Sequence, residues 1–324
     1  MKYITKYILV LFGILNLNYF GLAQTPAITQ LFSTPNYLSP AFAGIYQKND
    51  INILYRNQWP NSPINYEFNS ININLPIEIY QSGLNLNLFS DRQANFIETI
   101  NLGGQYSYQL NLNKFTKLSS GIGINARYLN FNTNSLLSPS QITNIANNTG
   151  IFVSDPISLQ SQTIKYVNLS IGVLLLNPNF WFGISAQNLG NPNLKISNNN
   201  SNLNKKQYSL QTGIKKTLNI NTNLTPFINY FYWGNNHRYQ IGSYLETNPL
   251  VFGTWLNNTD FITSFIGYKS ENYSIGYSYD LNLNSIKGYA GGHEIMLTIR
   301  FKSKNLIINT DKIQNKRAIA CPQF

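Results

Sequence analysis

From Ile51 to Phe301 apolar and polar residues alternate with a period of two, and no segment of comparable strength shows a helical period. A chain that repeats this pattern can only present one apolar and one polar face per segment, which is the pattern of a strand. The alternation is clearest in INILYRNQW (51–59), GLNLNLF (83–89), LGGQYSYQL (102–110), VNLSIGVLL (167–175), YSIGYSY (273–279) and HEIMLTIRF (293–301). Weaker segments near 66–75, 118–131, 180–189, 208–217, 224–233, 238–245, 250–256 and 261–268 bring the expected count to about fourteen. At 66–75 the phase breaks, Tyr66 and Phe68 giving way to Ile71, Ile73 and Leu75, which suggests a bulge or a shifted register.

Strand count alone leaves a soluble β-sandwich open, and the spacing of the strands narrows the choice. Long gaps at 132–165, 190–207 and 281–292 alternate with short ones such as LNPN (176–179) and KSE (269–271). Short turns at one end and long loops at the other are the habit of outer-membrane barrels, whose strands must close because lipid offers no partner to an open edge. The expected fold is therefore all-β: a transmembrane outer-membrane β-barrel of about 14 antiparallel strands. Trp59, Tyr66, Trp181, Trp233, Tyr268 and Tyr279 lie near strand ends, where aromatic girdles would place them.

The first residues agree with this compartment. Lys2 and Lys6 precede an apolar run from Tyr7 to Phe20, and Gly21-Leu22-Ala23 gives a small-x-small cleavage signal before Gln24. The expected organisation is a signal peptide at 1–23, an N-terminal periplasmic segment at 24–50, a barrel at 51–302 and a basic periplasmic tail at 303–324. With a periplasmic start and an even strand count, Cys321 and the lysines of the tail emerge in the periplasm. No later run is long enough to cross a bilayer as a helix.

Composition removes several function classes. Only 11% of residues are charged, and asparagine makes up about one residue in six, far from average globular usage. The formal charge of +11 is scattered and thickens at the C-terminus, and secretion makes a nucleic-acid partner unsuitable. The single cysteine cannot form an internal disulfide. No GxSxG, P-loop, CxxC or EF-hand motif and no adjacent carboxylate pair is present. His293 and Glu294 are adjacent, but neighbouring strand residues point to opposite faces, and the residue one helical turn on is Leu297, so neither a dyad nor a zinc motif results. His237, in GNNHR, reads as an exposed turn. No enzyme, cofactor or metal is expected.

One polar cluster stands out. In YRNQWP (55–60), Ile51, Ile53, Tyr55 and Trp59 share the lipid-facing phase, sending Arg56 and Gln58 inward. If Trp59 pairs with Tyr66 across the following turn, Glu67 stands opposite Gln58 and diagonal to Arg56, giving a structural ion pair Arg56–Glu67 inside the lumen.

QLFSTPNYLSPAFAG (30–44), YRNQWP, the terminal HEIMLTIRF strand and the final CPQF, taken in order, resemble the PorP/SprF family of Bacteroidetes outer-membrane proteins across essentially the whole mature chain. The resemblance marks Tyr55, Arg56, Asn57, Gln58, Trp59, His293 and Glu294 as family motif residues. It implies a non-enzymatic barrel of the type IX secretion system. Such a barrel would bind, anchor or help secrete proteins with a C-terminal sorting domain, among them adhesins and gliding-motility proteins. Outer-membrane lipid would surround it, and a periplasmic peptidoglycan-binding protein would be a further partner. A porin-like solute channel is the alternative, with a soluble secreted β-sandwich behind it. The loops 132–165 and 190–207, rich in Asn, Ser and Thr, would form the docking surface.

Overall fold

The computed structural model describes residues 28–301 apart from 47, 61, 63–64, 95, 133–161, 191–204, 235, 259–260 and 284–290. The strands are β1 (Asn49–Gln58), β2 (Tyr66–Ile77), β3 (Ser82–Gln93), β4 (Ile97–Asn111), β5 (Lys117–Phe131), β6 (Gln162–Leu176), β7 (Phe180–Gln187) and β8 (Gln207–Ile214). They continue as β9 (Lys216–Asn219), β10 (Thr222–Trp233), β11 (Asn236–Thr247), β12 (Leu250–Asn257), β13 (Phe261–Lys269), β14 (Tyr273–Asn282) and β15 (Gly292–Phe301). All pairings are antiparallel, β8 and β9 both pair with β10 as one stave interrupted at Lys215, and β1 pairs with β15 to close the ring. The result is a closed barrel of 14 staves, as the alternation requires. No helix of the described residues is long and apolar enough to cross a membrane.

Asn49 stands opposite Phe301, so the first strand begins and the last strand ends at the same end of the barrel. The short connections 78–81, 112–116, 177–179, 220–221, 248–249 and 270–272 share that turn end, and the gaps after β5, β7 and β14 share the opposite, loop end. Outside, Ile53, Ile71, Leu86, Leu102, Ile122, Ile171, Ile184, Ile228, Ile266 and Ile295 form an exposed apolar belt that encircles the staves. Exposed apolar surface of this extent needs lipid rather than water, which removes the soluble sandwich.

The inner wall carries Asn, Ser, Gln and Thr, yet it also holds large apolar side chains: Leu54, Phe68, Trp181, Phe231, Tyr244, Trp255 and Met296 are buried inside. This changes two expectations. Trp181 is fully buried and Trp233 nearly so, and both face the lumen instead of an interfacial girdle. The phase break in β2 is no bulge: β1 and β2 pair without interruption from Asp50↔Asn74 to Gln58↔Tyr66, and Phe68 is simply an apolar residue pointing inward.

What Phe68 and the other inner aromatics meet is the N-terminal segment. Residues 28–46, expected as a periplasmic lead-in, are buried almost throughout and lie inside the barrel. Two prolines shape them into one helical turn at Pro35–Leu38 and a 3-10 turn at Pro40–Phe42. The segment contains no Asp, Glu, Lys or Arg, so it fills a low-dielectric lumen without burying an ionised side chain.

Candidate site: the lumenal clasp and its plug

The wall holds the segment chiefly by its main chain. Gln105 donates to the Asn36 carbonyl (3.0 Å), Ser185 to that of Leu38 (2.7 Å), Ser119 to that of Ala41 (2.7 Å), Ser107 to that of Ala43 (2.6 Å) and Gln109 to that of Gly44 (3.1 Å). Alternation supplies these donors, because every second residue of a strand faces inward. Two glycines of the wall decide how closely the segment approaches. Gly44, at φ +61, abuts Gly83 of β3, and Gly121 of β5 lies against the backbone of Pro40 and Ala41; a Cβ at either wall position would collide with main-chain atoms. On the opposite wall Phe32 inserts edge-on among Trp181, Phe227 and Tyr244, with ring centroids 5.5, 5.0 and 6.2 Å away.

At the loop end, where β1 meets β15, the segment is pinned by charge. Arg56 lies directly opposite Glu294, and both are fully buried. The guanidinium sits 2.7 Å from Asp280 Oδ2 and 3.2 Å from Glu294 Oε2, and donates to Gln58 Oε1 at 3.0 Å. One cation therefore faces two carboxylates. The excess negative charge is met by the segment itself: the Thr29 N–H and hydroxyl donate to Glu294 Oε2, both at 2.9 Å, and the Gln30 N–H donates to Glu294 Oε1 at 2.8 Å. From Asp280 a polar chain runs around the wall through Thr263, Asn257 and Gln240, and Gln240 Nε2 donates to the Thr29 carbonyl at 2.8 Å. Gly292 leaves room for the Arg56 and Asp280 side chains, since a Cβ there would crowd both.

The expected pair Arg56–Glu67 does not form. Gln58, not Trp59, is opposite Tyr66, so Asn57 is opposite Glu67 and both point outward. A shift of one residue moves a side chain to the other face. Glu67 instead lies 4.0 Å from Arg92 on the outer surface. Of the motif residues, Arg56, Gln58 and Glu294 meet inside, whereas Tyr55, Asn57 and His293 face outward. Trp59 follows β1 at φ 57, its N–H donating to the Gly291 carbonyl at 3.2 Å. His237 lies in β11 rather than in a turn, and its Nδ1 is 2.6 Å from the Tyr230 hydroxyl. Sequence reasoning missed Thr29, Gln30, Gln240 and Asp280. Asp280 follows the alternating run 273–279 at an inward position, and that was the signal available.

Among the described residues, cavities of about 20 and 40 Å³ remain between segment and wall, room for isolated waters. No group of three or more metal-ligating side chains occurs among them.

The model of the family described as type IX secretion system membrane protein PorP/SprF matches residues 21–299. No curated protein matches the chain. Similar solved structures include the Ralstonia pickettii toluene transporter TbuX, with 11% identity over 86% of this chain and 96% of that one and a TM-score of 0.48. The CymD monoaromatic hydrocarbon channel gives 12% identity over 87% and 96%, with a TM-score of 0.47. The translocator domain of the Neisseria meningitidis autotransporter NalP gives 8% over 82% and 93%, with a TM-score of 0.41.

Proposed function

Because this chain belongs to the PorP/SprF family of type IX secretion system membrane proteins, an outer-membrane barrel and not an enzyme class, we propose that it works as a docking barrel. It binds and anchors, or helps to secrete, proteins bearing the C-terminal sorting domain of that pathway, adhesins and gliding-motility proteins among them. The observation that carries this reading is the filled lumen: residues 28–46 occupy the space a solute would need, so the work falls to the surfaces at the ends. That favours docking over a porin-like channel.

In this reading the loop end is extracellular, and the loops 132–165 and 190–207, which lie largely outside the described residues, form the recognition surface. Signal-peptide cleavage before Gln24 and a tail at 303–324 facing a periplasmic peptidoglycan-binding partner belong to the same proposal; both stretches lie outside the described residues. The test is affinity capture from outer-membrane extracts, with wild type beside a variant lacking residues 195–206. Wild type should recover proteins with the sorting domain, and the deletion should recover fewer while remaining heat-modifiable. Recovery of none by wild type would contradict docking.

A further inference from the structure

The chain has two histidines, and the structure uses them in the same way. His293 of β15 stands opposite Tyr279 of β14, with its Nδ1 2.8 Å from the hydroxyl of Tyr277 two residues along. His237 of β11 stands opposite Tyr232 of β10, with its Nδ1 2.6 Å from the hydroxyl of Tyr230. Ring centroids of the opposed pairs are 5.0 and 5.3 Å apart. Two hairpins far apart in sequence thus carry one constellation, each one residue below the loop-end limit of its strand.

Both constellations face outward and sit on top of the apolar belt, with Ile295 and Ile275 beneath one and Ile241 and Ile228 beneath the other. That is the depth at which hydrocarbon gives way to lipid headgroups. In the tautomer whose Nδ1 accepts from the phenol O–H, Nε2 carries the ring proton, and each histidine then offers an N–H donor to its surroundings. At headgroup depth the acceptors such a donor meets are the phosphate oxygens of the surrounding lipid. The outward faces of β10, β11, β14 and β15 carry no carboxylate, since Glu246, Asp280 and Glu294 all point inward. Glu67 and Glu98 stand on β2 and β4, with β1 between β2 and β15, and both are engaged by Arg92 of β3.

We propose that His237 and His293, each with its two tyrosines, form twin sites for the phosphate of a lipid headgroup in the leaflet at the loop end. The tyrosines set the ring and the belt below holds the acyl chains, so the ligand is a phosphorylated lipid of the surrounding bilayer.

The test uses the full chain in phosphatidylcholine nanodiscs doped with diphosphoryl lipid A, counting retained lipid by native mass spectrometry. Wild type should retain lipid A, whose phosphate monoesters are unshielded, in preference to phosphatidylcholine, whose phosphodiester is covered by choline. His237→Phe and His293→Phe should each lower retention by about threefold or more, the factor for one lost hydrogen bond, and the double variant should show no preference. Tyr230→Phe with Tyr277→Phe keeps every ring and should weaken retention partially. Millimolar inorganic phosphate should leave wild-type retention unchanged. Undiminished retention in the histidine double variant or in the tyrosine double variant, or displacement by inorganic phosphate, overturns the proposal.

Discussion

Arg56 carries the energetics of the clasp. Removing it leaves Asp280 and Glu294 buried without a counter-charge, and breaking a buried ion pair in this way costs about 3–5 kcal/mol. Arg56→Ala should therefore unfold at markedly lower temperature and yield less heat-modifiable barrel in outer-membrane fractions. Glu67→Ala is the contrast, because its half-exposed contact with Arg92 at 4.0 Å is worth about 0–1 kcal/mol; its thermal unfolding should match wild type. Equal destabilisation by the two variants would mean that the β1–β2 register is wrong. Alternation was sufficient to turn Arg56, Gln58 and Glu294 inward. It could not name the partner, because partner choice depends on a register that one residue of turn length alters, and because Glu294 reaches Arg56 only through closure of the barrel across nearly the whole chain.

At the scale of elements, the strands were legible and the plug was not. Each strand expected from periodicity is present, since a two-residue period is a local property that lipid on one side and a polar wall on the other enforce everywhere. Residues 28–46 have no such period, and two short proline turns give no local sign of where they dock. The available sign was negative: a run with no charged residue, followed by strands with glycine at inward positions. That fit predicts a local response. Gly121→Val places a side chain against the backbone of Pro40 and Ala41 and should cost about 1–3 kcal/mol through overpacking. Gly104→Val faces outward, where the nearest atom to a Cβ is Leu86 Cδ2 at 3.9 Å, and should be neutral. Thermal unfolding in detergent distinguishes the two, and an unaffected Gly121→Val would mean that the segment does not press on β5.

For the whole molecule, an even number of staves puts both ends of the barrel chain at the turn end. If that end faces the periplasm, a maleimide unable to cross the outer membrane should miss Cys321 in intact cells and label it after permeabilisation. Equal labelling in both would reverse the orientation. The proposed docking role rests on a lumen filled by the chain's own N-terminal segment. Single-channel recording in planar bilayers tests it most directly, comparing the full chain with a variant lacking residues 28–46. The full chain should be electrically silent, and the deletion should give discrete conductance steps as the lumen fills with water. Stable open channels from the full chain, as large as those of the deletion, would contradict the claim.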